Sequence, residues 1–140
     1  MCIRDRSHSA TQAGPSWIAG HQIAEGIIEG VARDSDRVCL WTFGTPESTR
    51  QLTKDFLMPN EPSEKTLLLT ALKTYRNKEY PHGDTDLTNA LKKAVDSFET
   101  TKDRQRIIVF LGDGISTHNP LDSKTRLEIA KQMVLSLIHI

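Results

Sequence analysis

Arg37-Val38-Cys39-Leu40-Trp41-Thr42-Phe43-Gly44 ("RVCLWTFG") decides the fold. Its core, Val38–Phe43, is a continuous apolar, β-favouring run with no polar alternation, the pattern of a strand covered on both faces in a parallel sheet. Asp34-Ser35-Asp36 precedes it and Gly44-Thr45-Pro46 ends it, so turn residues punctuate both sides. A second run of the same kind, Arg106–Leu111 ("RIIVFL"), stops at Gly112-Asp113-Gly114 and is expected to be a second fully buried strand.

Helical spacing fills the intervals. Trp17–Ala32 places Trp17, Ala24, Ile27, Ile28 and Val31 on one side. Gly20, Gly26 and Gly30 weaken its propensity by about 1 kcal/mol each relative to Ala, so packing must hold it, and the glycines are expected to permit close approach to a sheet. Lys65–Tyr75, with Ser63 as a candidate N-cap, gathers Leu68, Leu69, Leu72 and Tyr75. The strongest periodicity is Leu87, Ala90, Leu91, Ala94, Val95 and Phe98, opened by Thr85 or Asp86 as cap. Thr125–Val134 begins a last helix. Thr49–Phe56 is more polar and alternating, as an exposed edge strand would be. The order helix, strand, edge strand, helix, helix, strand, helix predicts an α/β fold: an open, mostly parallel, doubly wound (Rossmann-like) sheet with helices on both faces.

The chain has 140 residues, the size of one domain, with 18 Lys and Arg against 18 Asp and Glu. Without a basic patch there is no case for nucleic acid, and the apolar runs are too short for a membrane span. Cys39 sits inside a buried run with no His or basic neighbour, and is expected to be a small hydrophobe rather than a reactive thiol.

The two ends match as DNA. "MCIRDR" can be encoded by a sequence whose reverse complement encodes "LSLIHI", and the string resembles a transposon end used in sequencing libraries. Residues 1–6 and 135–140 are therefore expected to be artefactual, adapter-derived segments, leaving 7–134 as a partial domain. On that reading the chain opens on a loop with no strand in front. The uncut reading frame upstream of Ser7 would show whether a hydrophobic strand ending in Asp stood there.

Three segments fall just before a helix or just after a strand: Ser9-Ala10-Thr11, Gly83-Asp84-Thr85-Asp86-Leu87 and Leu111-Gly112-Asp113-Gly114. Their hydroxyls and carboxylates form an oxygen-only donor set suited to a hard cation such as Mg²⁺. In order and type, these segments resemble a von Willebrand factor A (vWA) domain with a metal-ion-dependent adhesion site. "RVCLWTFG" is similar to the family's second strand and "GDTDLTNAL" to its loop-to-helix start.

The resemblance implies that Ser9, Thr11, Thr85 and Asp113 hold Mg²⁺ (or Mn²⁺), with Ser7 at the position where the family has Asp. Asp84 or Asp86 would assist through water. One coordination position would remain for an acidic side chain of a protein partner, so the implied function is recognition or adhesion and not catalysis. Because Ser7 brings no charge, weak binding is expected. The resemblance also implies that the first, central strand and the C-terminal strands are missing, so that Val38–Phe43 and Arg106–Leu111 flank a gap and the fragment is not expected to fold cooperatively alone. Other readings of the same residues remain: Thr85 as an N-cap alone, Asp113-Gly114 as a turn, Ser9 and Thr11 as loop hydroxyls. His82 has no ligand-spaced partner for zinc, and His21 and His118 are expected at the surface. At the level of the whole protein, alternatives are a vWA module of an ATP-driven chelatase or AAA-type assembly, and an α/β hydrolase. The chain has no phosphate-cradling Gly-x-x-x-x-Gly-Lys motif and no Gly-x-Ser-x-Gly.

Overall fold

The computed structural model describes residues 2–5, 15–78, 85–98, 105–111 and 122–138. Residues 37–44 again organise what is seen. Strand β2, Leu40–Phe43, is buried at every position. Its alternate side chains enter two separate cores, as a strand's period of two requires. Cys39, Trp41 and Phe43 pack with Leu87, Ala90 and Ala94 of α3 (Leu87–Asp96). Val38 and Leu40 pack with Ala24 of α1 (Pro15–Gly26), with Ile28 just beyond it, and with Leu68 and Leu72 of α2 (Pro62–Lys78). Helices thus cover both faces of β2. The Thr42 hydroxyl donates to the Tyr75 hydroxyl of α2 at 2.6 Å, so its burial is compensated.

Among the described residues the sheet has four strands, in the order β3 (Arg50–Gln51), β2, β1 (Cys2–Asp5) and β4 (Val109–Leu111). Its central strand β1 is Cys2–Asp5, parallel to β2 and to β4 (Val109–Leu111). This corrects the expectation that the central strand is missing. Two parallel edges left open would strand their N–H and C=O groups, and the nearest segment able to pair with both is residues 2–5. Whatever DNA encodes that segment, the polypeptide uses it as a strand, with Cys2 opposite both Leu40 and Val109. Residues 135–138 likewise do not stand apart. Helix α4 runs Ser123–Ile138, because no Gly or Pro interrupts the backbone after Val134.

Other boundaries moved for local reasons. The first helix is regular only to Gly26, after which Ile27–Val31 is a π-helical turn closed by the Ala32 N–H on the Ile27 carbonyl at 3.1 Å. A Cβ added at Gly26 or Gly30 would meet nothing within 4 Å, so close approach to the sheet is not why these glycines are there. The inward stripe of α1 is Gly20, His21 and Ala24, continued by Ile28 in the π-helical turn; it buries His21 (2% exposed) against Tyr75 with ring centroids 6.0 Å apart, and the expected surface position is wrong.

Helix α2 starts at Pro62, whose fixed φ and missing N–H suit a first helical position. Ser63 is therefore inside the helix rather than its cap, and Glu64 reaches back to accept the Met58 N–H at 2.6 Å.

The expected edge strand Thr49–Phe56 pairs regularly only at β3, Arg50–Gln51, antiparallel to β2. The chain then bulges through 52–56, with the Thr53 hydroxyl accepting the Leu40 N–H at 3.2 Å, and re-pairs Leu57 with Val38. β4 is half-buried rather than fully buried, since it lies at the sheet edge among the described residues and Ile107 before it is 53% exposed.

Cys39 is fully buried, and burial pushes its thiol up, partly opposed by a hydrogen bond from the Thr53 hydroxyl at 3.5 Å. A raised folded-state pKa means the neutral thiol is favoured by folding. This contribution is complete below the unfolded thiol value of about 8.5 and is lost as pH rises through the folded one. Melting temperature should therefore fall more steeply above about pH 9 in the wild type than in Cys39→Ala. Parallel slopes for the two proteins would refute the assignment.

Candidate functional site

In an open α/β sheet, ligands gather outside the carboxyl ends of the strands, at the point where successive connections diverge. Here that point is β1, flanked by β2 on one side and β4 on the other. The registers place the strand ends closely. Asp5, the last residue of β1, is opposite Phe43, the last of β2, and Arg4 is opposite Leu111, the last of β4. Three parallel strands therefore end within one residue of each other, and Asp5 is the terminal carboxylate residue of the central one.

The start of α3 closes against the same end. The Asp86 N–H donates to the Gly44 carbonyl at 2.7 Å, where the chain leaves β2. The Asp86 carboxylate accepts the Asn89 N–H at 2.8 Å and so caps the helix, deciding between the two expected cap residues. Thr85 is not the cap; it is fully buried immediately before it. A buried threonine at the mouth of a capped helix, beside the end of β2, is where the resemblance implies a metal-binding hydroxyl.

Of the expected metal residues, Thr85 is described. Ser9, Thr11, Asp113, Ser7 and Asp84 lie outside the described residues, as do His82 and His118. Asp113 follows β4 by two residues in sequence, and Ser7 follows β1 by two.

Pairing of β1 opens a second register of the hydroxyl motif. With β1 ending at Asp5, the chain spells Asp5-Arg6-Ser7-His8-Ser9, a literal Asp-x-Ser-x-Ser at a strand end. The sequence alone carries this alternative, two residues upstream of the expected register, and excluding residues 1–6 as adapter-derived removed it from view.

The donor set has chemistry suited to a hard divalent cation: carboxylate and hydroxyl oxygens, with neither thiol nor imidazole. Among the described residues no group of three or more His, Cys, Asp or Glu side chains could hold a metal ion, and no helix is long and apolar enough to cross a membrane. A separate groove of about 380 Å³ lies between α1 and α2, lined by His21, Glu25, Leu69, Lys73 and Arg76 among others, and contains none of the expected site residues.

No protein-family profile matches the chain, and no curated protein matches it in sequence. In three dimensions it is similar to the crystal structure of the SpRpn10 VWA domain, with a TM-score of 0.63 and 15% sequence identity, over 95% of this chain and 67% of that one. A likeness at this identity shows the fold: the chain is folded as a VWA domain.

Proposed function

We propose that this chain is a non-catalytic recognition domain that binds a protein partner through a divalent cation, Mg²⁺ or Mn²⁺, at the carboxyl end of its sheet. The observation that supports it is that Asp5 and the Thr85-Asp86 start of α3 both adjoin the end of β2: Asp5 registers with Phe43, and Gly44 accepts from Asp86. In this reading Asp5, Ser7, Ser9, Thr85 and Asp113 hold the ion, and Thr11 is a loop residue. Two carboxylates and three hydroxyls replace the set of one carboxylate and three hydroxyls expected with Ser7 at the Asp position, so binding should be firmer than that set would give.

Asp86 caps the helix through one carboxylate oxygen, and in this reading the hydroxyl of Thr85 is the loop's donor. When bound, the cation would offer an open position that an acidic side chain completes. Neutral hydroxyl donors leave it electrophilic enough to accept a carboxylate.

The test is retention of Asp- or Glu-containing peptides on the immobilised full chain. Retention should need Mg²⁺ or Mn²⁺ and be lost on adding EDTA. Equal retention after EDTA, or of the Asn and Gln counterparts, would count against the reading.

A further inference from the structure

We propose that Lys93 is a positioning residue for this site, holding the loop between β2 and β3 and the start of α3 as one body; the proposal rests on the metal-dependent reading above. Asp86 and Lys93 are seven residues apart, two helical turns, and therefore share one side of α3. Both are tied to the same loop. Asp86 donates its N–H to Gly44, where the loop begins. The Lys93 ammonium donates to the Pro46 carbonyl at 3.2 Å and to the Thr49 carbonyl at 3.4 Å, near the loop's crest and at its end.

The loop is itself closed. The N–H groups of Ser48 and Thr49 converge on the Thr45 carbonyl at 3.1 and 3.0 Å, and the Thr49 hydroxyl donates to the same oxygen at 2.9 Å while accepting the Gly44 N–H at 3.4 Å. A loop with that internal bonding behaves as a block, and the helix grips it at three carbonyls.

The grip matters because the end of β2 is the common reference for both halves of the site. Asp5 is fixed to Phe43 by strand register, and Thr85 is fixed through Asp86 to Gly44. Any slip of α3 along the loop changes the separation of Asp5 and Thr85. An ammonium carries three donors and no acceptor, so two carbonyls hold it with charge-assisted bonds that a neutral side chain of equal length cannot make. Lys93 is half-buried, which keeps water from replacing those bonds freely.

The experiment uses the full chain and Mn²⁺ alone, read by electron paramagnetic resonance, beside amide exchange and thermal melting. Lys93→Met should weaken Mn²⁺ binding by roughly tenfold, as loss of an orienting partner does at other metal sites. It should also speed exchange of the Asp86 amide. Lys93→Arg should restore both, and Thr49→Val, which removes the hydroxyl that closes the loop but keeps the backbone carbonyl that Lys93 binds, should weaken Mn²⁺ binding in the same direction. Should Lys93→Met fold poorly, Lys93→Gln serves in its place. Unchanged Mn²⁺ affinity with faster loop exchange would reduce Lys93 to a structural residue and overturn the inference alone. No Mn²⁺ binding by the wild type would instead defeat the metal-dependent reading, and the inference with it.

Discussion

Phe43→Ala is expected to destabilise the fold by about 3–5 kcal/mol, the usual cost of removing a buried aromatic ring and leaving a cavity. The ring is fully buried at the end of β2. It packs in one cluster with Trp41, Leu87 and Ala90, and lies 5.1 Å from the Phe110 ring of β4, centroid to centroid, at an angle of 40°. Because β1 lies between β2 and β4, that ring pair spans the central strand. Its loss removes a contact across three strands as well as the cover over α3. A domain of this size has about 5–15 kcal/mol in total, so the variant should sit near its threshold.

Denaturant melts of the full chain should show one cooperative transition for the wild type, displaced strongly to lower urea in the variant. Phe43→Leu, which keeps most of the volume, should lose much less. Ile23→Ala, at an exposed position on α1, should stay within about 0.5 kcal/mol of wild type. A broad, non-cooperative wild-type melt would instead support the earlier expectation that the chain does not fold alone. Loss of less than about 1 kcal/mol in Phe43→Ala would mean that the β2–α3 core is not what holds the sheet.

That core was also the part most legible from sequence. A run apolar at successive positions needs two covers, and Val38–Phe43 has them. The 3.6-residue period of Leu87, Ala90, Ala94 and Val95 sets one face of α3 inward. What could not be read are features decided by neighbours distant in sequence. His21 looked like a surface residue because its own segment does not reveal that Tyr75, 54 positions on, offers a ring to stack against. Arg106–Leu111 looked as buried as Val38–Phe43, since apolar composition does not say which strand lies at the edge. Ser63 had the right chemistry for a cap, but Pro62 beside it has the stronger claim on where the helix begins.

The central strand is a different kind of miss. Residues 1–6 were set aside for how they could be encoded, while the sheet's unpaired edges respond only to what the residues are. The same exclusion removed one register of the candidate motif from view. The loop that carries Thr85 and the helix it opens were legible from sequence, but the strand-final position of Asp5 became visible only once β1 was paired.

Asp5→Asn is expected to lower Mn²⁺ or Mg²⁺ affinity by roughly tenfold or more, equivalent to about 1.4 kcal/mol or greater. The substitution keeps size and shape but removes one of the two charges proposed to face the cation, and a hard ion depends on carboxylate charge. Two registers of the hydroxyl motif make opposite claims about neighbouring residues. With Asp5 as the carboxylate, Ser7 and Ser9 are the ligands and Thr11 is free to change. With Ser7 at the Asp position, Ser9 and Thr11 are the ligands and Ser7→Asp should strengthen binding.

Calorimetric titration of Asp5→Asn, Ser7→Ala, Thr11→Ala and Ser7→Asp therefore separates them. The proposed register expects loss in the first two, no change in the third and no gain in the fourth. Thr85→Ala should lose affinity under either register, and serves as the check that the same ion is being measured. Loss in Thr11→Ala together with a gain in Ser7→Asp would move the site back to the downstream register. Asp5 would then be a strand residue only, and the carboxyl end of β1 would contribute backbone alone.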